Sequence, residues 1–199
     1  MTDRRDAPNA ITRNLRTETI SDERHRLSRV TFDLRQRDGH WDSVTREVYE
    51  RRDSAAAVVV DPARHTVLLV RQFRAPAYLG GHPDGMLLEV PAGTVDAGET
   101  PEQTIRRELV EELGHRVVAL RPWFALYSSP GAITERMWLF SAEYSHGTRV
   151  GEGGGLANES EHLEVVELDL DDAWAMVDDG RIADLKTVLL LERIRRPQD

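Results

Sequence analysis

The sequence predicts an α/β fold, an α/β/α sandwich on a mixed sheet with a small β-sheet domain at its N-terminus. Three observations predict it. Short apolar runs at Ala55 to Val60 and Val67 to Val70 have the texture of strands buried on both faces. A strongly capped amphipathic helix at Thr100 to Leu113 lies among the strand-like segments, and two further helical periodicities follow near the C-terminus. Strands mixed with flanking helices, rather than regularly alternating with them, suit a sandwich better than a βαβ repeat. A length of 199 residues accommodates one main core and a small appended sheet.

Residues 1 to 16 mix charges, Asn and Pro without periodicity and are expected to form a flexible arm. Residues 17 to 53 read as the N-terminal sheet: Val30, Phe32 and Leu34 alternate with polar residues, Asp38-Gly39 supplies a turn, and Val44 to Tyr49 resumes the alternation. Residues 54 to 199 make the main domain. Its first strands are the two apolar runs, joined by the Asp61-Pro62 turn, and the second leads into Arg71-Gln72-Phe73-Arg74. A Gly- and Pro-rich loop from Leu79 to Gly85 precedes a strand at Met86 to Val90.

The helix that follows has Thr100 as N-cap, Pro101 in its first position and Gln103 completing a capping box. Ile105, Leu109 and Leu113 form its core stripe, and Gly114 ends it. Strands are predicted at Trp123 to Tyr127, Met137 to Tyr144 and Leu163 to Leu168. Helices are predicted at Asp171 to Asp179 and Leu185 to Arg195.

Composition narrows the function. A net charge of -9, with no Lys/Arg run, opposes nonspecific nucleic-acid binding, so a phosphate ligand would need convergent arginines or bound cations. The absence of cysteine excludes disulfides, thiolate zinc sites and thiol nucleophiles. The polar N-terminus and the lack of a long apolar run point to a cytoplasmic protein with no membrane partner. The histidines show no metal-ligand spacing, and Trp123, Trp138 and Trp174 read as core residues.

On the capped helix, Glu108, Glu111 and Glu112 project from one edge beside the apolar stripe. Like charges at such spacings destabilise a helix by roughly 0.2–0.5 kcal/mol per pair, so a partner is expected. A solvated acidic face is the plain alternative. A hard divalent cation that takes carboxylate, water and phosphate oxygens is the functional one.

The wider pattern decides between them. Gly93, Glu99 and the run Arg107-Glu108-Leu109-Val110-Glu111-Glu112-Leu113-Gly114 resemble the Nudix box at every polar and Gly position. The resemblance implies a magnesium-dependent pyrophosphate hydrolase, with Mn2+ as a substitute ion. It makes Glu108, Glu111 and Glu112 metal ligands, Ala92 a carbonyl ligand, and Arg107 and Glu99 their braces. His115 departs from the aliphatic or aromatic residue usual after the box and is expected to pack rather than ligate.

Within the superfamily the chain resembles the ADP-ribose and sugar-nucleotide branch, at Ser129-Pro130-Gly131 and at Glu159-Ser160-Glu161. By position Glu159 would be the catalytic base and Glu161 a further metal ligand. Glu135 is an alternative acid for the base.

A group of that branch that cleaves GDP-mannose is matched further, at Ile20-Ser21-Asp22, Arg46-Glu47-Val48-Tyr49, Arg71 to Arg74 and Asp184 to Leu191. This similarity implies a domain-swapped homodimer in which Arg46 and Glu47 of one subunit complete the partner's site, and in which Arg74 holds phosphate. Taken without it, Arg46 and Arg74 are ordinary surface residues at strand ends. Glu89 either braces Arg74 or the metal waters, or faces outward from its strand; Lys186-Thr187 is expected to be structural. The implied reaction splits GDP-mannose into GMP and mannose 1-phosphate. The alternatives are ADP-ribose cleavage and a non-catalytic nucleotide-sugar sensor, the latter disfavoured by the intact box acids.

Overall fold

The computed structural model describes residues 11–117, 119–155 and 163–196. In chain order the elements are β1 (Thr12–Asp22), β2 (Arg26–Arg35), β3 (Trp41–Glu50), β4 (Ser54–Asp61), β5 (Thr66–Phe73), α1 (Ala75–Leu79), β6 (Met86–Glu89), β7 (Ala92–Thr94), α2 (Pro101–Leu113), β8 (Leu120–Tyr127), β9 (Arg136–Glu143), β10 (Glu164–Asp169), α3 (Leu170–Asp178) and α4 (Leu185–Arg195). They divide into two units: Met1–Arg52 with Tyr127–Arg136, and Asp53–Leu126 with Met137–Asp199.

The smaller unit is an antiparallel sheet in the order β1-β2-β3. Strands β2 and β3 pair without a slip from Arg26↔Glu50 to Arg35↔Trp41, around a turn in which Gly39 takes φ 93°. Strand β1 begins at Thr12, so the stretch from Thr12 to Arg16 expected to belong to the arm is sheet instead. The sequence hides this strand because it is exposed along nearly its whole length, and no apolar alternation is needed where neither face is covered. Residues 127–136 join this unit through backbone bonds from Tyr49 N to Ala132 O (2.8 Å) and from Thr134 N to Tyr49 O (3.2 Å).

The larger unit is a mixed sheet in the order β10-β5-β4-β9-β8, with β6 on β5 and β7 on β4. All the pairings of β4 and β5 are antiparallel except that of β4 with β9. Strand β4 explains the sandwich. Ala55, Ala57 and Val59 pack with Ile105, Leu109 and Leu113 of α2, while Ala56 and Val58 pack with Ala173 of α3 and Leu190 and Leu191 of α4. A strand covered on both faces needs apolar residues at every position, as the run Ala55 to Val60 has. Among the described residues no helix is long and apolar enough to cross a membrane.

Helix α2 carries both termini that its sequence specifies. Gln103 N donates to Thr100 Oγ1 (3.2 Å), Thr100 N donates to Gln103 Oε1 (2.8 Å), and Gly114 closes the helix at φ 71°. Helix α1 is an unpredicted single turn with Pro76 in it, too short to show a period.

Candidate active site

The site begins where β7 meets α2. Gly93 lies so close to the helix that a Cβ there would fall 1.8 Å from Glu108 Oε1. One residue earlier, Ala92 N donates to Glu112 Oε2 at 3.0 Å. Strand backbone and helix carboxylates are therefore in direct apposition. Glu112 and Glu108 are 4 % and 9 % exposed, burial that a carboxylate tolerates only with strong partners.

Arg107 supplies part of that partnership. A single guanidinium nitrogen donates to Glu108 Oε1 and to Glu111 Oε2, each at 2.8 Å, so it stands between two box acids. The rest of the guanidinium reaches Glu99 at 3.3 and 3.4 Å, with Asp96 at 3.9 Å. Glu99 is itself held by Thr104 Oγ1 (2.8 Å). Burial alone would lower the Arg107 pKa, but the bonds to Glu99, Glu108 and Glu111 outweigh it and leave the guanidinium more firmly protonated than usual. Arg107 and Thr104 together hold Glu99 below the ordinary carboxylate range.

The donor set suits a hard divalent cation. Glu108, Glu111, Glu112 and the Ala92 carbonyl offer only oxygen, and Arg107 shares its charge among Asp96, Glu99, Glu108 and Glu111. The backbone approach at Gly93 fixes Glu108 at the strand without any side chain between them.

Beside this lies a second charged group. Arg74 makes a two-pronged bond to Glu89, at 2.7 and 3.0 Å, and Lys186 Nζ pairs with the same carboxylate. Glu89 is 2 % exposed, so the outward-facing alternative is wrong: its strand is covered on that side by the start of α4. Burial pushes the Glu89 pKa up, but the bonds and charges of Arg74 and Lys186 more than reverse it and keep the carboxylate ionised. Burial likewise works against the Arg74 charge, and Glu89, Glu112 and Asp184 restore it.

Asp184 ties the group to helix α4. Its Oδ2 accepts from Thr187 N (3.0 Å) and from Thr187 Oγ1 (2.6 Å), and it pairs with Lys186 at 3.0 Å. Thr187 Oγ1 in turn accepts from Val90 N at 2.8 Å, which fixes the strand that carries Glu89. The Asp184-x-x-Thr187 capping pattern is visible in the sequence; the pairing of Lys186 with Glu89 is not.

The other candidates belong to the smaller unit or lie outside the described residues. Arg46 and Glu47 are exposed on β3 of the smaller unit, where Arg46 donates to Thr45 O at 2.8 Å. Glu135, in the same unit, is buried with Arg51 at 4.0 Å. Arg51 Nε and Ser128 Oγ are buried there without a hydrogen-bond partner among the described residues. Glu159 and Glu161 lie outside the described residues. His65, Asp169 and Asp171 also approach one another, but they are exposed, and Asp169 acts as the N-cap of α3.

Known proteins resemble this chain over most of its length. A model of the NUDIX domain matches residues 50–191, and one described as the GDP-mannose pyrophosphatase NudK N-terminal domain matches residues 12–49. GDP-mannose pyrophosphatase of Cronobacter sakazakii is 42 % identical over 91 % of this chain and 93 % of its own. Those of Yersinia enterocolitica and Pectobacterium atrosepticum are each 44 % identical, over 90 % and 87 % of this chain and 92 % and 88 % of theirs. A crystal structure described as an ADP compounds hydrolase superposes with a TM-score of 0.69 at 21 % identity, covering 92 % of this chain and 91 % of that one, which establishes a shared fold.

Proposed function

Because the chain belongs to the Nudix family, we propose that its pyrophosphatase activity is directed at GDP-mannose, which it splits with magnesium into GMP and mannose 1-phosphate. The relatives that share 42–44 % identity over about nine tenths of the chain carry that substrate in their names, and the match to the GDP-mannose pyrophosphatase N-terminal model extends it to the smaller unit. The ADP compounds hydrolase argues only for the fold at 21 % identity, so ADP-ribose is the second choice.

The observation that carries the chemistry is the approach of Glu108 and Glu112 to the strand backbone at Gly93 and Ala92, with Arg107 linking Glu108 to Glu111. Magnesium bound there would lower the pKa of a water and neutralise charge on the diphosphate. In the reaction, a water oxygen bonds to one phosphorus, the bond from that phosphorus to the bridging oxygen breaks, and two phosphate monoesters leave. Glu159 takes the water's proton in this reading, Glu161 adds a metal ligand, and Glu135 is the alternative base.

Arg107 and Glu99 keep the box acids oriented. Arg74 binds a phosphate oxygen through its guanidinium, whose direction Glu89 sets. Arg46 and Glu47 complete the site of the second subunit in a swapped homodimer, and the setting is the cytoplasm; both belong to the proposal.

Purified protein supplied with magnesium and either GDP-mannose or ADP-ribose tests it. GDP-mannose is expected to turn over preferentially, and preference for ADP-ribose would overturn the substrate assignment. Glu112→Gln is expected to abolish turnover at unchanged thermal midpoint, and wild-type activity in that variant would remove the metal assignment.

A further inference from the structure

Helix α2 ends at Gly114, and the segment from Ser145 to Gly155 runs back along that end. Arg116 N donates to Thr148 O (2.8 Å), while Val150 N and Gly151 N donate to Gly114 O (2.7 and 3.1 Å). Further on, Gly154 N donates to Glu112 O (2.8 Å) and Gly155 N to Glu111 O (3.1 Å). The last carbonyls of a helix lack partners within it, and here two of them, on box acids, are taken by this strap. The approach is backbone on backbone: a Cβ on Gly114 would fall 2.3 Å from Gly151 O, and one on Gly153 would fall 2.5 Å from Glu112 O.

One side-chain bond fastens the same junction. His115 Nδ1 is 3.0 Å from Thr148 Oγ1. That hydroxyl donates its own proton to Ser145 O (2.8 Å) and accepts from Ser145 N (3.0 Å), so it can only accept from the imidazole, which must carry its proton on Nδ1. The ring is 9 % exposed and meets Tyr144 edge to face at 5.3 Å. Tyr144 is itself fixed by Thr66 (2.7 Å) and Glu167 (2.8 Å). Burial holds the imidazole below its ordinary pKa, Arg149, Arg64 and His146 act in the same direction, and Glu167 opposes them.

We propose that His115 is a positioning residue for the reaction: through Thr148 it locks the Ser145 to Gly155 strap onto the carbonyls of Glu111 and Glu112, and so holds in place the end of the helix that carries these two acids. This rests on the reading of Glu111 and Glu112 as metal ligands. A strap held only by backbone bonds at a helix end would open readily. Misplacing a metal ligand weakens the transition state more than substrate binding at saturating magnesium, so the loss falls on kcat.

The test compares His115→Phe, which keeps an aromatic ring at Tyr144, with Thr148→Val, which keeps shape and loses the hydroxyl, and Thr148→Ser, which keeps it. With GDP-mannose and magnesium, the first two should each lower kcat roughly three- to tenfold with KM changed by less than about twofold, the scale of one hydrogen bond. Thr148→Ser should retain kcat, and the double variant should be no slower than either single one. Hydrogen exchange by mass spectrometry should quicken in the segment from Val150 to Gly155 but not inside α2. Unchanged kcat in both His115→Phe and Thr148→Val, additive losses in the double variant, or unchanged exchange would overturn the lock. Glu111→Gln and Glu112→Gln in the same assay test the underlying reading separately: full activity in both would remove the catalytic consequence, while the exchange measurement still judges the strap.

Discussion

A methyl group at position 93 would lie 1.8 Å from Glu108 Oε1, 2.1 Å from its carboxyl carbon and 2.5 Å from its Cγ. Gly93→Ala must therefore push Glu108 off the strand. Activity is expected to fall on the order of tenfold to a hundredfold, the range for disturbed metal-site supports, with the requirement for magnesium rising in a metal titration. Glu89 makes a different prediction. Its folded pKa is depressed, so its ion pairs stabilise the protein fully above the ordinary glutamate value of about 4.3 and are lost as pH falls through the lower folded value. Glu89→Gln should cost about 3 kcal/mol at neutral pH, the lower part of the range for breaking a buried pair, because Arg74 still reaches solvent. Denaturant midpoints followed below about pH 5 should show a flatter acid limb in the variant than in the parent. At this scale the acidic edge of α2 was legible from spacing, and the resemblance to the Nudix box gave it its expected role. The burial of Glu89 was not, because an acid at a strand end reads the same whether or not a helix later covers it.

Helix α2 was legible as an element because its signals are local. The capping box and the left-handed Gly114 lie within the helix or one residue beyond it, and both are formed as the sequence specifies. Thr100→Ala should lower stability by about 1 kcal/mol, seen as a reduced thermal midpoint, while leaving turnover per folded molecule unchanged, since Thr100 caps the helix at the end remote from Glu111 and Glu112. The elements that went unread share one property. Strand β1 covers no core, α1 is a single turn, and β7 is three residues long, so none spans enough residues with a buried face to produce a period. Strand β7 is nonetheless the element that presents Ala92 and Gly93 to the helix. It exists because β4 offers Ala55 and Ala56 as partners, and those small residues lie outside its own sequence.

At the scale of the whole molecule, the chain returns to its smaller unit after leaving it: residues 127–136 bond to β3 across more than the whole of the box. The proposed swapped dimer makes a prediction here. Arg46→Ala and Glu112→Gln should each be inactive alone, yet unfolding and refolding them together should restore turnover, because a mixed dimer pairs one intact box with one intact partner strand. No recovery from a mixture shown to contain mixed dimers would refute completion across subunits. The sequence by itself determined the α/β class, the capped helix with its acidic edge, and the family, because caps, alternation and box spacing are written within a few residues of one another. Only the tertiary structure decided that Lys186 and Arg74 share Glu89, that the strap caps the helix with the acidic edge, and that Ser129-Pro130-Gly131 belongs with β3. Such pairings join residues as many as 97 positions apart, and no local propensity encodes them. They follow from which surfaces the sheet, once formed, brings together.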